Sequence, residues 1–331
     1  MILLLGCSAG CTDESKWSQG DGDIDSDADT DGDTDADTDA DTDVSLAEDT
    51  LEECTDGVDN GDDGIQSYVD CRDADCRPFA RDCAPVIWDD TEAPSEMGCL
   101  GKPDPSGPGV GMVNVTFGAV DYEGDIPIDA AYTLDVYFNN ECGVGDPDAT
   151  VSVGPGERIS APVAVPNHRH ICVLFHAIEG QFRQTVEHDK RTPEDDPESD
   201  LDGAMEAITV KESTYLVIPA TLGISIEAGK GIVMGGFDDC AENPLANVVA
   251  SVDSDDPNIA IRYFVDEFPN REPVTTTEDG LWGILNVPPG EVTVQLEGRL
   301  EDGSDLVLLG QRLVRVQQDT INFANIGVLR K

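Results

Sequence analysis

The sequence predicts an all-β protein: two tandem β-sandwich domains that follow a disordered acidic N-terminal spacer and a small disulfide-rich acidic segment. Three observations carry this. From Val110 onward, short runs rich in β-branched and aromatic residues recur between turn residues at regular intervals, the texture of a sandwich. Ten cysteines stand against four histidines without paired zinc-ribbon spacing, which favours disulfides and an oxidising compartment. Acidic residues number 69 against 19 basic ones, a formal net charge of −50. That excess excludes nucleic acid and anionic lipid surfaces as partners, since both require basic patches. No run of eighteen apolar residues predicts a membrane-spanning helix.

Residues 1–11 read as the end of an export signal. Met1-Ile2-Leu3-Leu4-Leu5 is apolar, and Leu4-Leu5-Gly6-Cys7 resembles the lipobox of bacterial lipoproteins. The resemblance implies lipidation at Cys7. Cys11 is the alternative: Ser8-Ala9-Gly10 precedes it without an apolar residue at the third position back, but choosing it leaves an even set of cysteines. One acyl chain holds a membrane only marginally, so the anchor would need several chains. The implied location is outside the cytoplasm: anchored by lipid alone in the outer membrane of a Gram-negative-type bacterium, on its surface or periplasmic face.

Residues 12–50 form the spacer. Every odd position from Asp21 to Asp43 is Asp, interleaved with small residues. Alternation is a strand period, yet like charges and the lack of an apolar face leave nothing to offset ordering entropy. Self-repulsion extends such a run toward a contour limit of about 75 Å. Asp27, Asp29, Asp31 and Gly32 match half a calcium loop, but Thr38 stands where its bidentate acid belongs, which favours the spacer.

Residues 51–84 are Cys- and Asp-rich. Cys54-Thr55-Asp56-Gly57-Val58-Asp59-Asn60-Gly61-Asp62-Asp63-Gly64, followed by Asp70-Cys71-Arg72-Asp73-Ala74-Asp75-Cys76, resembles a metal-binding motif of secreted bacterial lipoproteins. Two departures stand out: Gly61-Asp62 inverts the usual Asp-Gly, and three extra residues precede Asp70. Oxygen ligands at alternate positions with a turn glycine suit calcium. The candidate ligands are Asp56, Asp59, Asn60, Asp62, Asp63, Asp70, Asp73 and Asp75, with affinity of roughly 0.1–1 mM expected for an extracellular module. Cys54, Cys71, Cys76 and Cys83 pair among themselves in one of three ways, because so few apolar residues need staples.

Residues 85–109, rich in Pro and Gly, read as a linker. The first sandwich spans 110–222, with candidate strands at 110–117, 132–138, 149–153, 159–165, 171–178, 181–186, 206–210 and 214–218. Cys142 and Cys172 are expected to bridge within it. Glu187–Asp202, acidic with two prolines, reads as a long mobile loop.

The second unit, 223–331, contains strand Gly231–Gly235 and the alternating run Pro244–Val252. Thr277-Glu278-Asp279-Gly280-Leu281-Trp282 and Val287-Pro288-Pro289-Gly290-Glu291-Val292 follow. Over 224–331 this closely resembles the carboxypeptidase regulatory-like domain, a transthyretin-like sandwich. Trp282 and Val292 replace that family's aromatics. Asp279-Gly280 and Pro288-Pro289-Gly290 supply turns that place glycine where positive φ is needed. The resemblance implies a sandwich without a peptidase site.

Nothing in the sequence assembles a nucleophile, base and orienting group, so no enzyme is expected. His168, His170 and His176 share a strand face. His168 and His170, about 7 Å apart along it, are a remote transition-metal pair, more simply read as a polar edge. Resemblance to pilin-type sandwiches raises a Lys–Asn isopeptide bond from Lys230 to Asn322 or Asn325, with Glu291 as the acid. Trp282 reads as core, whereas Tyr263 and Phe268 stay open as sugar-stacking platforms. The expectation is a non-catalytic, lipid-anchored envelope protein, structural or adhesive, with a calcium-stabilised segment. The alternative is a glycan- or peptide-binding module of a cell-surface assembly.

Overall fold

Alternating burial sets the strands. In Glu291–Leu296, Val292, Val294 and Leu296 point inward between half-exposed neighbours. In Tyr132–Tyr137 it is Tyr132, Leu134 and Val136 that do so. The computed structural model describes residues 50–55, 76–87, 97–103, 109–124, 126–139, 141–197 and 203–330. After a short helix α1 (Ala80–Cys83), nine strands follow. They are β1 (Met112–Val115), β2 (Phe117–Asp121), β3 (Ile126–Pro127), β4 (Tyr132–Tyr137), β5 (Ala149–Val153), β6 (Val163–Pro166), β7 (His170–Phe175), β8 (Thr185–Arg191) and β9 (Met205–Thr209). Helix α2 (Glu212–Thr221) then precedes β10 (Gly231–Asp238), β11 (Val249–Val252), β12 (Ala260–Val265), β13 (Phe268–Asn270) and β14 (Leu281–Val287). The last four are β15 (Gly290–Gly298), β16 (Val307–Val316), β17 (Ile321–Ala324) and β18 (Ile326–Gly327). The chain is all-β, with 44% strand against 8% helix.

Two cores define two sandwiches. One gathers Phe117, Leu134, Val136, Ile171, Val173 and Phe175; the other gathers Phe237, Leu245, Trp282, Ile284, Leu296 and Leu309. A single sheet, ordered β13-β12-β14-β10-β17-β8-β7-β4-β5, forms one layer of both. The opposite layers are separate: β1-β6 and β3-β2-β9 on the first sandwich, β11-β15-β16 on the second. The seam is the parallel pair β8 and β17, in register Thr185↔Ile321 through His188↔Ala324. The backbone ladder therefore runs unbroken from one sandwich into the other.

The structure departs from the sequence expectations at three places. Residues 214–218, expected as a strand, lie inside α2. Tyr215 packs with Val210, Ile232, Ile321 and Phe323 while Leu216 and Val217 stay exposed, so tertiary packing overrides a β-like composition. The acidic stretch from Glu187, expected as a loop, is strand β8 as far as Arg191. Its polar residues are buried because they are paired: Glu187 Oε2 accepts from Lys190 Nζ at 2.6 Å, and its Oε1 accepts from the Ile208 amide at 2.6 Å.

The third place is the segment expected as a linker. Ile87 is buried in the second core, its amide donating to Arg299 O at 3.0 Å, and Cys99 is disulfide-bonded to Cys240. Arg299 also holds the carbonyl oxygens of Ala84 and Asp82, at 2.9 and 2.7 Å. The described parts of this stretch, 85–87 and 97–103, are thus docked on the second sandwich.

Candidate functional site at the seam of the two sandwiches

Strand β8 brings chemistry to the seam: His188 lies between Cys172 of the first sandwich and Asn322 of β17, and Asp189 lies between His170 of β7 and Arg312 of β16. His188 is buried, its Nδ1 3.8 Å from Cys172 Sγ and its Nε2 3.4 Å from Asn322 Oδ1. Asn322 donates through Nδ2 to Ile232 O at 3.1 Å, so its oxygen faces His188 and Nε2 of the imidazole carries the proton. Burial pushes His188 down from 6.5 to about 4, so the ring is neutral.

Asp189, in the left-handed region at φ 66°, turns its carboxylate to His170 Nδ1 at 3.0 Å and to Arg312 of β16. Burial alone would raise Asp189, but hydrogen bonds from His170 and Arg312 leave it below its ordinary value. The bond to Asp189 in turn raises His170.

Beside this cluster an open cleft of about 380 Å³ spans the seam. Asp135, Tyr137, His176 and Gln184 line it from the first sandwich, Arg315 and Gln317 from the second. Asp135 Oδ2 meets His176 Nε2 at 2.7 Å while its Oδ1 accepts from Thr150 Oγ1 at 2.7 Å. Gln184 Nε2 donates to Gln317 Oε1 across the seam at 2.8 Å. The Cys142–Cys172 disulfide, wholly buried, underlies the wall. No signal in the sequence joined these residues: β4, β5 and β7 assemble the wall with Asp135, Thr150 and His176, and β8–β17 pairing brings Arg315 and Gln317 opposite it.

The other sequence candidates fall as follows. Cys7, Cys11, Cys71 and the eight calcium ligands Asp56, Asp59, Asn60, Asp62, Asp63, Asp70, Asp73 and Asp75 lie outside the described residues. Cys54 pairs with Cys76, and Cys83 is also disulfide-bonded. His168 and His170 do not converge as a chelating pair: His168 accepts from Arg191, and His170 engages Asp189. Among the described residues no group of three or more His, Cys, Asp or Glu is placed to hold a metal.

The isopeptide set is dispersed. Lys230 pairs with Asp256, Glu291 with Arg315, Asn322 with His188 and Ile232, and Asn325 Oδ1 accepts from the Gly236 amide at 2.9 Å. Trp282 is fully buried core. Tyr263 is core too, its hydroxyl accepting from the Ala250 amide at 3.0 Å and pushed up to about 12 by burial. Phe268, 74% exposed beside the hairpin turn between β12 and β13, is the only one of the three aromatics at the surface.

No protein-family model matches this sequence, and no curated protein does. Solved structures with weak likeness include the Bacillus anthracis TIE protein, at 11% identity and TM-score 0.20 over 66% of this chain. That match spans 34% of the TIE protein, so the chain covers about a third of its length. The shaft pilin SpaA from Lactobacillus rhamnosus GG matches at 9% identity and TM-score 0.19, over 66% of this chain and 98% of the pilin. The pilus backbone RrgB from Streptococcus pneumoniae matches at 11% identity and TM-score 0.19, over 68% and 65%. TM-scores this low carry no argument about the present chain.

Proposed function

We propose that the chain is an exported, non-catalytic structural or adhesive module of a bacterial envelope. It would be tethered through lipid on Cys7, or alternatively Cys11, and held off the outer membrane by its Asp-rich spacer. The observation that carries the reading is the oxidation state: all seven cysteines among the described residues are disulfide-bonded, which suits an oxidising compartment. A continuous sheet through both sandwiches suits a part that transmits load without a hinge. No helix among the described residues is long and apolar enough to cross a membrane; this reading attaches the chain through lipid instead.

Calcium would belong to the 56–75 stretch. The Cys54–Cys76 disulfide holds the ends of that loop 5.6 Å apart at Cα, and the loop carries the eight candidate oxygen ligands. Closing the loop lowers the entropy lost when a cation gathers its carboxylates. The test expresses the full chain in a Gram-negative host with an alkyne fatty acid. Labelling lost in Cys7→Ser or Cys11→Ser, with the protein in the outer-membrane fraction, supports the reading. An unlabelled, reduced protein in the cytosol overturns it. Calcium titration of the full chain and of Asp59→Asn/Asp63→Asn tests the metal part separately.

A further inference from the structure

We propose that β5 pairs edge to edge with β5 of a second copy, antiparallel and centred on Val151, so that the long sheet runs on through both copies. β5 is the last strand of that sheet, and among the described residues no backbone bonds its outer side. Its outward N–H and C=O groups form an open ladder that another strand satisfies. Natural sheets blunt such edges, and this one blunts its other end. β13 has three residues, its Pro269 carries no N–H, and Asp266, Glu267, Arg271 and Glu272 flank it. The edge at β11 is closed from within: Val248 exchanges hydrogen bonds with Thr276, and the Ala250 amide donates to the Tyr263 hydroxyl at 3.0 Å. β5, Ala149-Thr150-Val151-Ser152-Val153, carries neither charge nor proline.

The partner is a copy because the strand is complementary to itself. Turned over about Val151, Thr150 of one copy faces Ser152 of the other, twice, and Ala149 faces Val153. Thr150 and Ser152 are exposed on the outer face, whereas Val151 and Val153 share the buried one. Thr150 Oγ1 already donates to Asp135 Oδ1 at 2.7 Å, which leaves its lone pairs to accept from the Ser152 hydroxyl opposite.

Charge does not oppose the fit at close range. Asp148 falls opposite Gly154, and its Oδ2 accepts from its own chain's Phe138 amide at 2.7 Å. Glu157 is turned back on its own chain, its Oε2 accepting from the Gly154 amide at 2.9 Å. In this register the two Asp148 residues lie about 20 Å apart. What opposes association is the long-range field of two chains at −50 each. Salt therefore strengthens the pair, the reverse of its effect on an interface built from ion pairs. Five residues a side fall short of the roughly 800 Å² per partner of a standard interface, so Kd lies between about 10 μM and about 1 mM. The pairing depends on neither lipid nor calcium.

The test is analytical ultracentrifugation of the full, oxidised chain across a concentration series reaching about 1 mM. A reversible dimer is expected, and it tightens as salt rises from about 0.01 M to about 0.15 M and the screening length falls from about 30 Å to about 8 Å. Ser152→Glu, at an exposed position, is expected to weaken it by at least about tenfold by setting a carboxylate against Asp135 of the other copy. Phe268→Glu, at the β13 edge, leaves it unchanged. Melting curves confirm folding of each variant. A mixture of Ser152→Cys and Thr150→Cys chains should cross-link faster than either alone, which reads the register even if Ser152→Glu fails to fold. The proposal falls if the chain is monomeric at every concentration and salt, or if Ser152→Glu associates as well as wild type. It falls too if Phe268→Glu abolishes the dimer, or if the mixed cysteine chains cross-link no faster than each alone. A monomeric chain whose β5 takes up a strand of another protein also overturns it.

Discussion

Replacing His188 with glutamine should remove much of the protein's sensitivity to mild acid. In the folded chain this ring titrates near 4, because it is sealed between the Cys142–Cys172 disulfide and Asn322, against 6.5 for an open imidazole. The unfolded chain therefore takes up a proton that the folded chain refuses. The stabilisation is full above pH 6.5 and drains as the pH falls from 6.5 toward 4. At about 1.4 kcal/mol for each tenfold in proton affinity, the gap comes to about 3 kcal/mol, of which about 2 kcal/mol is lost between pH 7.5 and pH 5. For a folded region of this size that is a drop in Tm of about 4–8 °C.

His170 works in the opposite direction. Its titration is raised by Asp189, so its contribution is present below 6.5 and is lost as the pH climbs. The wild-type protein alone would therefore show a partial cancellation. The decisive quantity is a difference: Tm at pH 7.5 minus Tm at pH 5, for wild type and for His188→Gln, with His170 intact in both. That difference should shrink in the variant by about 4–8 °C. Equal pH dependence in the two proteins would mean that His188 is hydrated or charged at neutral pH, and the sealed seam would be wrong.

Three further outcomes follow from the packing. Removing the Cys99–Cys240 bridge by a double serine substitution frees a loop with sequence separation 141 and should cost about 2–5 kcal/mol in denaturant unfolding. Gly280→Ala should cost about 1–3 kcal/mol, since φ there is 64° and a Cβ would press within 2.8 Å of Phe237 O; circular-dichroism melting reads it. Arg81→Ala should change stability by less than about 1 kcal/mol despite its two-pronged pairing with Glu297, because the arginine side chain is 55% exposed; urea titration reads it.

What the sequence exposed, and what it hid, divides along one physical line. Simple alternation is the readable part: Thr150–Val153, Tyr132–Val136 and Glu291–Leu296 bury every second residue, and period two is visible without a structure. The turn at Asp279-Gly280 was legible because only glycine sits easily at that φ. Strand β8 was hidden because Glu187, His188, Asp189 and Lys190 read as solvent-loving, and only their long-range partners make burial tolerable. Helix α2 was hidden for the converse reason: Thr214-Tyr215-Leu216-Val217-Ile218 has strand composition, and the surface under Tyr215 decides its form. The seam cleft was beyond reach altogether, since its walls meet only after a parallel pairing between residues 185–188 and 321–324.

That pairing carries the most weight and is the most open to direct attack. Scanning calorimetry of the full, oxidised chain should give one transition whose calorimetric and van't Hoff enthalpies agree, because β8 and β17 weld the two sandwiches into a single cooperative sheet. Two resolved transitions, with His188→Gln shifting only one of them, would show the sandwiches to be independent and the seam to be a mere contact.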